Sequence, residues 1–135
     1  MKLLLDTHVL LWWWAEPERL PASLLDTLSA PETEIWISAV SAYELAYKHR
    51  VGKLGLPEGL LAGFGAAVTA ERWESLSVSL DQCLRAGQLA AEHRDPFDRL
   101  LAAQALVENM TLVTVDPAFA GFEGLRTLWS ASTAV

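Results

Sequence analysis

The sequence predicts an α/β domain with a mainly parallel sheet held between helices. Short strand-type runs alternate with segments of helical period throughout the chain, which is the order that builds parallel sheets. The first run, Leu3-Leu4-Leu5, is continuous rather than alternating, as suits a strand buried on both faces. A late run, Thr111 to Val115 (TLVTV), is rich in β-branched residues.

Taken in order, a strand at Lys2–Leu5 leads to a helix from about His8 to Ala15. Glu16-Pro17 ends that helix, because the residue before a proline is pushed out of helical geometry. A second helix is expected over Pro21–Ser29, and EIWIS at Glu34–Ser38 reads as the second strand. A helix over Val40–Arg50 follows, closed near Gly52. Leu60–Arg72 reads as a helix, Ser75–Val78 as a short strand, and Leu80–Glu92 and Pro96–Asn109 as helices. After Thr111–Val115, Arg126–Trp129 is a candidate edge strand. There is no internal repeat, low-complexity tract or linker.

The 135 residues suit one domain, 1–135, with a core that needs no staples. With 52% hydrophobic and 20% charged residues, the chain reads as globular. A single cysteine, Cys83, excludes an internal disulfide and reads as a structural thiol. The apolar start is interrupted by Asp6 and His8 and is too short to span a bilayer, so a cytoplasmic protein is expected. A net charge of −7 argues against a protein that simply coats nucleic acid, which needs a basic face. It leaves room for an acidic nuclease whose carboxylates hold cations.

In open α/β sheets ligands bind beyond the carboxyl ends of the strands. Asp6 directly follows the first strand and Asp116 directly follows TLVTV, so a parallel sheet puts both on one edge. Glu44 shares a helical stripe with Val40, Tyr47 and Val51, and Asp98 with Leu101, Ala102 and Ala105, so both should face inward. Each acid also has a local explanation. Asp6 and Asp116 stand where helix N-caps would, Ser41 and Glu44 match a capping box, and Asp95 before Pro96 caps a helix that has Asp98 in its first turn. Converging inward carboxylates repel one another, however, and divalent cations relieve that repulsion. An oxygen-only set suits Mg²⁺ or Mn²⁺. His8, His49 and His93 show no zinc-type spacing and read as surface or helix-end residues.

Four segments carry a resemblance: LLLDTHVLLWW at 3–13, ISAVSAYELAYKHRVGKLGLP at 37–57, HRDPFDRLLAAQA at 93–105 and LVTVDPAF at 112–119. In this order, spread over nearly the whole chain, they resemble the PIN-domain family, specifically its VapC-like toxins. The resemblance implies a PIN-like three-layer domain with helices on both sides of the sheet. It implies an endoribonuclease dependent on Mg²⁺ or Mn²⁺, acting as the toxin of a type II toxin–antitoxin pair. It implies a small VapB-like antitoxin and a homodimer. Asp6, Glu44, Asp98 and Asp116 match the family's metal-holding acids. Thr7, Thr114 and Asp95 are candidates for support, with Asp95 read as the cap and Asp98 as the ligand.

Around these acids, Lys48, His49, Arg50 and Lys53 form the densest basic stretch. They read either as a phosphate-gripping rim or as a solvated helix end in which Lys48 pairs with Glu44. Arg99 could contact RNA or screen the acids. Trp12, Trp13 and Trp14 cannot all lie on one helix face, so at least one should approach the surface or an interface. With the apolar stretch Leu54–Phe64 they form a candidate antitoxin surface. Two rival readings are a PIN nuclease of RNA maturation without an antitoxin, and a non-catalytic RNA- or protein-binding module. The second would be marked by loss of acids, and all four are present. A haloacid-dehalogenase-type phosphotransferase would need an acid at position 8, which is His8, and no G-x-G-x-x-G follows the first strand.

Overall fold

A computed structural model describes residues 1–130. Its five strands are β1 (Lys2–Leu5), β2 (Glu34–Ser38), β3 (Glu74–Leu76), β4 (Thr111–Val113) and β5 (Thr127–Leu128). They form one all-parallel sheet in the order β3-β2-β1-β4-β5. The helices are α1 (Thr7–Ala15), α2 (Ala22–Ser29), α3 (Ala39–Arg50), α4 (Phe64–Ala70), α5 (Leu80–Gln88) and α6 (Pro96–Val107). Single 3₁₀ turns cover Pro17–Arg19 and Pro117–Gly121.

β1 lies at the centre of the sheet, and its three leucines are wholly buried. Successive side chains in a strand point to opposite faces. Leu3 and Leu5 therefore join a core with Val9 and Leu10 of α1 and Leu24 and Leu28 of α2. Leu4 joins a second core with Leu101, Ala102 and Ala105 of α6 and with Phe119 and Phe122. The buried alanines let α6 pack closely on the sheet. Helix α3 begins directly where β2 ends and serves both cores, Val40 one and Leu45 the other.

The alternation of strands and helices stands as expected, with shifted boundaries. The helix expected over Leu60–Arg72 forms only at Phe64–Ala70. Gly59 just before that stretch has φ +82°, and Leu60–Gly63 turn rather than wind. The helix expected to reach Glu92 stops at Gln88. The third strand is Glu74–Leu76 rather than Ser75–Val78, and α6 ends at Val107, with Asn109 at φ +55° just beyond. Cys83 is exposed on α5, so it is not a packing thiol. Among the described residues no helix is long and apolar enough to cross a membrane.

A buried polar chain links the end of β2 to α6 and α5. Ser38 Oγ donates to Gln104 Oε1, and Gln104 Nε2 donates to Gln82 Oε1 at 3.0 Å and to the Ser77 carbonyl at 3.3 Å. Gln82 Nε2 then donates to Glu108 at 3.1 Å. Gln104 is completely buried. Gln104→Leu would strip the Ser38 hydroxyl of its acceptor and is expected to cost about 2–3 kcal/mol. Urea denaturation checks this; an unchanged midpoint would show that the chain contributes nothing to stability.

Candidate active site

The site begins with strand register. β1 and β4 are parallel neighbours with Leu5 opposite Val113, so Asp6 and Thr114 leave the sheet side by side. The Asp6 amide donates to the Val113 carbonyl at 3.0 Å. Thr114 Oγ1 donates to Asp6 Oδ2 at 2.8 Å and accepts from the Asp116 amide at 3.0 Å. One hydroxyl thus bridges the segments carrying the first and last acids. Asp6 occupies the backbone position of an N-cap, yet its carboxylate caps nothing and is turned to Thr114. Asp116 does cap the following turn, accepting from the Ala118 amide at 2.9 Å.

The cap of α3 is Ser38, which accepts from the Val40 amide, and not Ser41. Ser41 lies inside the helix, where its hydroxyl meets that of Thr7 at 2.9 Å and ties α1 to α3. Glu44 follows on the inward face and is only 3% exposed. Its Oε2 accepts from Lys48, while its Oε1 is buried with no hydrogen-bond partner. At the start of α6, Asp95 accepts from the Phe97 and Asp98 amides at 2.9 and 3.3 Å, which is a helix cap. Asp98 is left free of capping, and its Oδ2 meets His93 Nε2 at 2.7 Å.

Asp6, Glu44, Asp95, Asp98 and Asp116 line one cleft of about 370 Å³ at the carboxyl edge of the sheet, with Lys48 beside them. Burial raises the Asp6 carboxyl to about 6; the Thr114 hydrogen bond opposes this, and Asp98 and Glu44 add to it. Asp98 is also raised, by burial first, against the His93 hydrogen bond and with the Asp95 and Glu44 charges adding. At Lys48, burial opposes the charged form, but Glu44, with Asp95 and Asp98 behind it, raises the ammonium overall.

The donor set fits a hard divalent cation. The orphaned Glu44 oxygen is an acceptor in a low-dielectric setting with nothing donating to it, and a cation would relieve it. The acids influence one another across the cleft, although among the described residues no three of them are already gathered into a ligand cluster. Mg²⁺ needs no complete protein cage, because it keeps several waters and takes one or two carboxylates directly.

Residues 3–125 match the PIN-domain family profile. The chain belongs to the PIN-domain family. This PIN domain is 30% identical over 115 residues to Ribonuclease VapC22 of Mycobacterium tuberculosis, a match covering 84% of this chain and 86% of that protein. Its fold is similar to that in a Rickettsia felis VapBC2 structure solved with a promoter DNA fragment. There the TM-score is 0.72 at 25% identity, over 95% of this chain and 98% of that one. It is similar also to VapBC-1 from nontypeable Haemophilus influenzae, with TM-score 0.72 and 21% identity over 95% of this chain and 97% of that one.

Within this PIN domain, Arg99, a candidate RNA contact by sequence, is engaged by backbone carbonyls. Its guanidinium donates to the carbonyls of Ala86, Leu89, Ala91 and His93, at 3.0, 2.6, 2.8 and 2.8 Å. It pins the segment that leads into Asp95 and is spent on backbone. Of the basic stretch, Lys48 reaches the cleft; Arg50 lies over the Tyr47 ring, and Lys53 is exposed. Trp12, Trp13 and Trp14 are each half-buried. Trp13 donates to Glu71 and packs on Trp73, Trp14 packs on Trp73 and Phe64, and Trp12 meets Trp129. Only Trp12 of the three lines the cleft, so most of the apolar surface expected there is absorbed by the chain itself. Sequence reasoning missed His93 as a site residue, because its five-residue spacing from Asp98 spans a helix start and matches no periodic pattern.

Proposed function

We propose that this PIN domain is a divalent-metal-dependent endoribonuclease and the toxin of a VapBC-type pair. The observation that carries the chemistry is the unpartnered Glu44 oxygen in a cleft lined by four further acids. Asp6, Glu44, Asp98 and Asp116 would hold Mg²⁺ or Mn²⁺. When bound, such an ion supplies the activation of water and the charge neutralisation that phosphodiester hydrolysis needs. The chain's own groups do the rest. Thr114 fixes the rotamer of Asp6 and the Asp116 turn together, and the Thr7–Ser41 pair fixes α1 against α3. Lys48, held by Glu44, places a cation at the cleft for an RNA phosphate, with Arg50 and Lys53 further out on the same segment.

The VapC22 relative and the VapBC structural neighbours support a VapB-like antitoxin as partner. Trp12, between the cleft and the α1 surface, is the contact we assign to it. A homodimer is part of the same proposal and is checked by light scattering.

The test is to sequence RNA ends after brief expression, with Asp6→Asn as control, and then to assay the purified protein. Cleavage should stop in EDTA and return with Mg²⁺ or Mn²⁺. Undiminished cleavage by protein verified free of metal would refute the metal-dependent reading. New RNA ends appearing equally with Asp6→Asn would remove the acidic cleft from the chemistry.

A further inference from the structure

At the start of α6, His93 grips the candidate ligand Asp98 from outside the acidic set. Its Nε2–H donates to Asp98 Oδ2 at 2.7 Å. The ring is fixed from two sides. Behind it, the His93 carbonyl is held by Arg99 at 2.8 Å. In front, the ring stands edge-on to Phe119 and Phe122, at centroid distances of 6.3 and 5.8 Å, and both phenylalanines are buried. Phe119 belongs to the turn that Asp116 opens. His93 therefore rests on the Asp116 turn while holding Asp98.

We propose that His93 is a positioning residue that fixes the orientation of the Asp98 carboxylate for divalent-cation binding, without itself being a ligand. This rests on the metal reading of the cleft. One Asp98 oxygen is committed to the imidazole, so the other is what Asp98 has left to offer. Without the imidazole, the carboxylate would rotate among its rotamers, and a cation would have to select the competent one. Partners of this kind behind a metal-holding side chain are worth about 10–100-fold in affinity.

The experiment is Mn²⁺ titration by calorimetry at one fixed pH near 7.5, with a melting temperature for every protein. His93→Phe keeps an aromatic ring between Phe119 and Phe122 and deletes the donor. His93→Gln keeps an N–H donor of similar reach. The Phe variant should melt within a few degrees of wild type yet bind Mn²⁺ about 10–100-fold more weakly. The Gln variant should recover most of the affinity. If the Phe variant does not fold, His93→Leu takes its place. Wild-type affinity in a folded variant without the donor overturns the proposal, as does equal loss in the Phe and Gln variants, which would mean that a restored donor restores nothing. A wild-type protein that binds no Mn²⁺ overturns the metal reading of the cleft, and this proposal with it.

Discussion

Asp6→Asn is expected to abolish RNA cleavage while making the metal-free protein more stable. Losing even a partner behind a metal ligand costs about 10–100-fold, so loss of Asp6 itself should exceed about a hundredfold in activity. The stability gain follows from burial. Asp6 is 6% exposed, and its carboxyl is raised from 3.8 to about 6 by desolvation, with Asp98 and Glu44 adding to it. Below pH about 4, folded and unfolded chains both hold the proton and the residue costs nothing. Between about 4 and 6 the folded chain keeps a proton that the unfolded chain has released, so stability falls as pH rises. Above about 6 the full penalty applies, on the order of 2–3 kcal/mol. Asparagine carries no charge and still accepts from Thr114. The variant's advantage should therefore widen between pH 4.5 and 7.5 in urea denaturation with chelator present. A constant difference across that range would mean that burial does not raise the Asp6 carboxyl as described above. Saturating Mg²⁺ should shrink the advantage by stabilising only the wild type.

Arg99→Lys is expected to be nearly as damaging as Arg99→Ala, although charge is conserved. One planar guanidinium serves four carbonyls, those of Ala86, Leu89, Ala91 and His93. An ammonium has three donors around a point and cannot span them. Hydrogen bonds from a charged donor are worth about 1.5–3 kcal/mol each, and water recovers part of the loss at this half-buried site. A net cost of about 2–4 kcal/mol is expected for either variant, with faster proteolysis between Leu89 and Asp95 and weaker cleavage of RNA. Near-wild-type stability in Arg99→Lys would mean that charge alone, and not the fork of donors, holds this segment. The RNA contact considered for Arg99 from the sequence would predict the opposite pattern, a folded protein with weakened substrate binding.

The same arginine shows where sequence reasoning reaches its limit. Periodicity carries α5 on to Glu92, but the Leu89 and Ala91 carbonyls are drawn out to Arg99, ten and eight positions away. A long-range contact ends the helix, and a local pattern cannot register it. Ser41-x-x-Glu44 matched a capping box for a similar reason. The chain passes from β2 into α3 with no loop, so Ser38, three residues earlier, takes the cap. What was legible depended on burial. Leu3–Leu5 and EIWIS could only be strands covered by helices, and the acids just after them could only stand at the carboxyl edge. The inward faces of Glu44 and Asp98 followed from 3.6-residue spacing. That spacing says nothing of which side chains meet across elements, which is why Thr114 entered as a candidate for support only through the family resemblance, its bond to Asp6 unforeseen, and His93 was passed over.

The central placement of β1 gives the cleft unequal walls. β1 is hydrogen-bonded along both edges and covered on both faces, so opening it requires opening the domain. Asp6 is mounted on that strand and shifts only when the whole protein does. Asp116 stands at an exposed turn, and Asp95 closes a segment without regular structure from Leu89 onward. A strand of RNA entering the cleft would meet one wall built into the sheet and another held in place by side chains, Arg99 for the segment before Asp95 and Thr114 for the Asp116 turn. Loss of one such side chain would free the second wall, while the first keeps its place for as long as the domain stays folded.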